Sequence, residues 1–203
     1  SGMDVQEFWN VVNDGGHYQY MFNALHLNNG NESFSEIANY SNLAATDWSW
    51  SNLIADFDND GFRDIHITNG LLRDIRNTDG DKSVDQFTKK IISEYIKDNP
   101  NLGLVNVWDI LPLQEVLDFL PSIKLSNYMY QNSGNYSFKN TTATWGLNQP
   151  SFSNGSAYAD LDNDGDLEIV VNNVNDSPFL YKNNTVEFEN TNYIRLKVIY
   201  ENF

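Results

Sequence analysis

Residues 56–64 of the chain read DFDNDGFRD, and residues 160–168 read DLDNDGDLE. Both stretches carry acidic side chains at positions 1, 3, 5 and 9 around a glycine at position 6. Calcium prefers about six to eight oxygen ligands, and a glycine turn lets the carbonyl of position 7 face the ion as well. Zinc fits less well, because no Cys or His stands among these positions. The pattern therefore predicts two calcium loops.

The predicted ligands follow from the position of each residue in its loop. In the first loop they are the side chains of Asp56, Asp58, Asp60 and Asp64 and the carbonyl of Phe62. In the second loop they are Asp160, Asp162, Asp164 and Glu168, with Asp166 at the carbonyl position. The alternative is a solvated turn rich in Asp and Gly, but two copies with one spacing favour calcium. Its role would be structural, since the clustered carboxylates repel one another without an ion.

The flanks of the loops exclude an EF-hand. That motif needs a bidentate Glu at position 12 and a helix on each side, whereas position 12 is Ile67 in one copy and Val171 in the other. Short β-branched runs follow the loops at residues 65–68 and 169–172, and strand-like segments precede them. We therefore expect each loop to join two β-strands.

The loops belong to a longer internal repeat. The second copy follows the first at an offset of 104 residues, and the matches extend well outside the loops. Asn28, Gly30 and Phe34, for example, recur as Asn132, Gly134 and Phe138. Each repeat contains a hairpin signal, Asn-x-Gly-Asn, before the strand–loop–strand segment. Four antiparallel strands in a unit of roughly 50 residues are typical of a β-propeller blade.

The pattern Asn-x-Gly-Asn-x-x-Phe, followed by Asp-x-Asp-x-Asp-Gly-x-x-Asp/Glu-Ile, resembles the FG-GAP/VCBS repeats of secreted bacterial proteins. The same calcium-loop blades occur in integrin α-subunit propellers. Residues 47–50, 68–70 and 150–155 look like VCBS proteins that carry a C-terminal ASPIC/UnbV domain. By this resemblance, the alternating strand expected over 193–199 begins that domain.

We therefore predict a mainly β fold, a partial β-propeller built from four-stranded blades with a helical insertion between two blade repeats. Apolar residues at helical spacing over 84–96 predict one helix of the insertion, and a shorter one is expected over 113–119. The predicted segments are a short N-terminal helix and lead-in at 1–16, a first blade at 17–70, the insertion at 71–126, a second blade at 127–175, and strands of a further blade or the start of a truncated ASPIC/UnbV domain at 176–203.

Charge and hydropathy limit the partners. The chain has 12 basic and 28 acidic residues and a formal net charge of −16, which argues against a nucleic-acid partner. It contains no long apolar span, so direct membrane insertion is not expected. Calcium loops suit compartments rich in calcium, and together with the resemblance they predict an extracellular or cell-envelope location on a bacterium. Exposed blade edges are expected, because propellers close with at least about four blades, and a second copy of the chain would cover them.

Three other features have competing interpretations. Trp48, Trp50 and Phe152 are interpreted as blade core rather than as a platform for sugars. The acidic segment at 77–81 is a weaker candidate for a third metal site. Paired carboxylates also occur in glycosidases, but every close pair here already belongs to a loop.

We expect a calcium-binding module for adhesion or for an unidentified protein or carbohydrate ligand, within a larger secreted or cell-surface protein and without catalytic residues. The alternative is part of a secreted enzyme acting on polysaccharide, with its active site on the propeller face or in another domain. Binding to a glycan without turnover would favour the module, and calcium-dependent cleavage would favour the enzyme. A purely structural segment is the third possibility.

Overall fold

The computed structural model describes residues 5–18, 20–75, 77–100, 103–188 and 196. The chain divides into two compact units, one formed by residues 1–21 and 71–123 and the other by residues 22–70 and 124–203. Apart from Leu196, the strand expected over 193–199 lies outside the described residues. The fold is mainly β, with several antiparallel sheets and a few helices.

The first unit is helical. Its helices are α1 (Val5–Asn13), α2 (Thr78–Asp98) and α3 (Leu113–Asp118), with a 3-10 turn at Val107–Asp109. The helices predicted over 84–96 and 113–119 are thereby confirmed. None of the helices in the described part of the chain has both the length and the apolar character needed to cross a membrane.

The acidic segment at 77–81 forms the start of α2. The Asn77 side chain accepts a hydrogen bond from the Gly80 backbone N–H at 2.8 Å, which caps the helix. Asp79 and Asp81 then lie in the first turn, where their charge is favourable to the helix dipole. Neither belongs to an acidic group that converges on one point among the described residues, so the helix start accounts for this segment.

The second unit contains the strands and one short helix. They are β1 (His26–Asn28), β2 (Phe34–Glu36), β3 (Ser49–Ala55), β4 (Asp64–Asn69), β5 (Leu125–Ser126), β6 (Tyr128–Asn132), β7 (Phe138–Asn140), β8 (Pro150–Ser151), β9 (Ser153–Ala159), β10 (Glu168–Asn173), β11 (Phe179–Tyr181) and α4 (Thr185–Phe188). Each acidic loop joins two antiparallel strands, β3 to β4 and β9 to β10, as the flanking sequences predict.

The strands of one sheet do not all come from one sequence repeat. The four-stranded sheet has the order β3-β4-β6-β7, so its strands come from the second half of one repeat and the first half of the next. The hairpin β1-β2 forms a separate sheet, and β9-β10-β11 forms a third. The expectation that the four strands of one repeat make one blade is therefore wrong: β4 hydrogen-bonds to β6 across the helical insertion, with Ile65 opposite Tyr130.

Two apolar clusters lie on the sheets of this unit. The first joins β3, β6 and β10 through Ala55, Met129, Ile169 and Val171, together with Phe57 and Leu147. The second contains Leu43, Ile65, Ile67 and Tyr130. Each fully buried side chain of this kind stabilises the fold by about 1.5–3 kcal/mol. Strand β4 is buried along its whole length, because β3 and β6 flank it and both of its faces are covered.

His66, in the middle of β4, is fully buried, and neither of its ring nitrogens hydrogen-bonds to a residue that the structure describes. Burial disfavours the charged imidazolium and lowers the pKa of His66 from 6.5 to about 4. The folded protein thus holds this side chain neutral while the unfolded chain takes up a proton near its ordinary pKa. The free energy of unfolding is therefore unaffected by His66 protonation above pH 6.5, and it decreases as the pH falls from 6.5 toward 4.

We expect acid to destabilise the protein less when His66 is replaced by Leu. Across the pH range from 6.5 to 4 the difference between His66→Leu and wild type should change by about 3 kcal/mol in favour of the variant. Urea unfolding of both proteins at several pH values measures it, with the difference at pH 8 as the baseline for altered packing. Parallel stability curves would show that the buried imidazole is not the group responsible.

Candidate metal centre

The two acidic loops fold into the same backbone turn. Asn59 and Asn163 have φ angles of 55° and 64°, and Gly61 and Gly165 have φ angles of 91° and 102°. A Cβ added at Gly61 would meet no atom within 4 Å, so the left-handed conformation, rather than lack of space, calls for glycine there. Equivalent positions thus share one conformation, which confirms that the loops are structural copies.

In the first loop, three of the four predicted carboxylates converge. Asp56, Asp58 and Asp64 each place an oxygen within 4.8 Å of the others. Asp60 stands outside this group, and its Oδ1 accepts a hydrogen bond from the Phe62 backbone N–H at 2.7 Å. The Phe62 side chain is half exposed, and coordination through its carbonyl stays a prediction.

In the second loop, the carboxylates form two overlapping groups. One contains Asp160, Asp162 and Glu168, and the other contains Asp164, Asp166 and Glu168. Asp166 is completely buried, and its Oδ2 accepts the Val186 backbone N–H at 3.1 Å. The sequence assigned only a carbonyl to this position, whereas the structure also brings its carboxylate into the cluster.

The last carboxylate of each loop is anchored in the same way. Asp64 accepts the Phe57 backbone N–H at 3.0 Å and the Asn132 backbone N–H at 2.9 Å. Glu168 accepts the equivalent N–H groups of Leu161 at 2.7 Å and Asn183 at 3.4 Å. One donor comes from the loop itself, and the other is Asn132 at the end of β6 or Asn183 two residues beyond β11. The neighbouring strand therefore fixes where the acidic side chain points.

Burial shapes the electrostatics of these carboxylates. It raises the pKa of Asp64 to about 7 and the pKa of Asp166 to about 6, in each case despite the backbone hydrogen bonds. It also raises the pKa of Asp58, against the opposing hydrogen bond from Gln131. Asp162 differs, because the hydrogen bond from the Lys182 ammonium lowers its pKa. Burial therefore disfavours the charged forms of Asp58, Asp64 and Asp166, whereas the ammonium favours that of Asp162.

The donor set fits calcium. Every converging ligand is an oxygen, and no Cys or His belongs to the groups found among the described residues. Oδ1 of the buried Asp166 has no hydrogen-bond partner in the part of the chain that the structure describes. A buried carboxylate oxygen in that situation costs free energy unless a cation contacts it.

The two loops lie beside each other in the second unit. The Asn59 side chain donates a hydrogen bond to the Gly165 carbonyl at 3.3 Å, and the Asn183 side chain donates to the Phe57 carbonyl at 2.7 Å. Nearby, the hydroxyl groups of Ser51 and Ser156 are 3.0 Å apart. The Asn59–Gly165 hydrogen bond thus joins the two loops directly.

Sequence reasoning missed the side chains that the following strands present to the loops. Gln131 Nε2 donates to Asp58 Oδ2 at 2.7 Å, and Lys182 Nζ contacts Asp162 Oδ2 at 3.0 Å. The tripeptides Tyr-Gln-Asn at 130–132 and Tyr-Lys-Asn at 181–183 carry both residues, and this short second repeat was the available signal.

The predicted aromatic core is only partly right. Phe152 is 5% exposed and belongs to the interior, as expected. Trp50 is 51% exposed, and its indole N–H donates to the Gly70 carbonyl at 2.6 Å. Its ring centroid lies 6.2 Å from that of Trp48. Phe152 is therefore buried as predicted, whereas Trp50 is half exposed.

A family model described as FG-GAP-like repeat matches residues 9–67 and 121–171, which together make up more than half of the chain. Each matched segment contains one acidic loop. No curated protein was found to match the chain.

Proposed function

The chain belongs to the family of FG-GAP-like repeat proteins, and on that premise we propose that it is a calcium-stabilised binding or adhesion module of a larger secreted or cell-surface protein. Calcium would bind at two sites, one in each acidic loop. The second unit would then be part of a β-propeller, with ligands bound by loops on one of its faces.

The observation that carries this proposal is the duplicated, anchored cluster of carboxylates. In both loops a buried acidic side chain is held by one backbone N–H group from its own loop and by another from a residue at or just beyond the end of a neighbouring strand. An ion bound there would supply positive charge to a cluster that burial otherwise penalises. It would also link each loop to the strand that follows, so the role is that of a scaffold.

Location and partners are further parts of the proposal. Calcium affinity is useful where calcium is abundant, which supports an extracellular or cell-envelope location. The net charge of −16 favours a protein or carbohydrate ligand over a nucleic acid. We also propose that exposed sheet edges of the second unit pair with another copy of the chain or another protein surface.

Calorimetric titration of chelator-treated protein tests the calcium proposal. We expect two calcium ions per chain, because two separate clusters converge. Asp58→Ala and Asp162→Ala should each remove one ion, since each deletes a carboxylate from only one loop. The matched control is Asp85→Asn, which alters an exposed carboxylate of α2 that pairs with Lys89.

The control should retain both ions. Absence of binding heat and of stabilisation by calcium in the wild-type protein would overturn the calcium assignment. The carboxylates would then have to be reconsidered as catalytic groups, which is the alternative of a polysaccharide-acting enzyme.

A further inference from the structure

The segments that flank the two loops differ in one charge, at Gln131 in β6 and at Lys182 just beyond β11. At the third loop position, Asp58 contacts the neutral amide of Gln131, whereas Asp162 contacts the ammonium of Lys182. The distances are similar, 2.7 Å from Gln131 Nε2 and 3.0 Å from Lys182 Nζ to the carboxylate oxygen. The second loop therefore already holds a cation that belongs to the protein.

The residues that follow these two side chains occupy equivalent positions. Asn132, which ends β6, and Asn183, which lies two residues beyond β11, each donate a backbone N–H to the last carboxylate of a loop. Gln131 and Lys182 also line one cavity of about 390 Å³ together with Asp58. The two sites thus share this backbone anchor, although the first loop has Phe62 and Arg63 where the second has Asp166 and Leu167.

Lys182 has a second acidic partner. Its Nζ lies 3.1 Å from Glu187 Oε1 in α4, and its side chain is 53% exposed. The ammonium is thus shared between a loop carboxylate and a carboxylate outside the loop. If a divalent ion displaces the Lys182 ammonium from Asp162, the ammonium can remain bound to Glu187 and hydrated by solvent.

We propose that Lys182 lowers the calcium affinity of the second loop by competing with the ion for Asp162. This inference rests on the proposed function, because it requires calcium in the second loop. Calcium entering the second loop has to displace the ammonium or bind within a few ångströms of it. A unit charge and a divalent ion about 6 Å apart repel by an amount equivalent to about a tenfold loss of affinity in a water-like dielectric.

A second observation supports a cation in this loop independently of its acidic composition. Asp166 is fully buried, and its Oδ1 has no hydrogen-bond partner among the described residues. Lys182 contacts Asp162 and Glu187, which leaves this oxygen for another cation. The ammonium therefore occupies only part of the cluster and competes with an ion without replacing it.

The test measures each loop by itself, by calorimetric titration with calcium chloride at low ionic strength. Asp58→Ala leaves only the second loop to bind, and Asp162→Ala leaves only the first. In the Asp58→Ala variant, the further change Lys182→Gln should raise the calcium affinity of the second loop about tenfold. The change Lys182→Arg in the same variant should leave that affinity within about twofold. Added to Asp162→Ala, Gln131→Lys should lower the affinity of the first loop about tenfold.

Lys124→Gln is the charge control. Lys124 is a half-exposed lysine of the same unit that pairs with Asp176, away from both loops, and its replacement should leave both affinities within about twofold. If both loops bind calcium but Lys182→Gln changes the second by less than twofold, the inference is overturned and the proposed function stands. If neither loop binds calcium in the wild-type protein, both fail.

Discussion

We expect the second unit to lose about 10 °C or more in melting temperature when a chelator removes calcium. At a free calcium concentration about one hundred times the dissociation constant, each occupied site stabilises the folded state by about 2.7 kcal/mol. Two sites together give about 5 kcal/mol, and each kcal/mol corresponds to roughly 2–4 °C for a protein of this size. The physical source is relief of repulsion among converging carboxylates, including the buried Asp64 and Asp166.

Thermal melts followed by circular dichroism, with calcium chloride or with excess chelator, measure this shift. Magnesium serves as the control ion, since it requires tighter octahedral geometry and gives up its water reluctantly. The Asp58→Ala, Asp162→Ala double variant should show little dependence on calcium, because each loop has lost a carboxylate. An equal calcium effect in wild type and double variant would place the stabilising ions elsewhere.

The second large effect is expected at Gly70, which follows β4. Its φ angle is 142°, and a Cβ added there would lie 2.5 Å from the Phe152 Cα and 2.8 Å from the Ser153 backbone nitrogen. Backbone atoms cannot move aside as a flexible side chain does. We therefore expect Gly70→Ala to reduce the free energy of unfolding by about 3–5 kcal/mol, through backbone strain and overpacking together.

Gly30→Ala is the matched control for Gly70→Ala. Gly30 also has a positive φ angle, 76°, but a Cβ there would meet no atom within 4 Å. Its replacement should cost only about 1–2 kcal/mol, from the left-handed conformation alone. Urea unfolding in the presence of calcium compares the two variants. A loss at Gly70 no larger than at Gly30 would show that the close backbone approach is not a constraint in solution.

Gly70 marks a place where two distant segments of the chain meet. Residues 68–70 and 150–155 are about 80 residues apart in the sequence. In the structure their backbones meet at Gly70 and Phe152, and the Trp50 indole binds the Gly70 carbonyl beside this contact. The contact at Gly70 therefore joins two segments that are far apart in the sequence.

The sequence by itself determined the local features. The spacing of acidic residues and glycines predicted both loops. In the structure, each loop has an asparagine and a glycine with positive φ at the same two positions. β-Branched runs predicted β4 and β10, and apolar helical spacing predicted α2. The internal repeat identified the family, which the match to the FG-GAP-like repeat model confirms.

Only the tertiary structure decided which strands share a sheet and which side chains complete the loops. Pairing of β4 with β6 depends on hydrogen bonds between segments separated by the helical insertion, and local sequence patterns contain no information on that choice. The same pairing brings Gln131 to Asp58, and the pairing of β10 with β11 brings Lys182 to Asp162. Long-range packing selects the neighbour of each strand. It therefore also decides which side chain, neutral or charged, lies beside each predicted calcium loop.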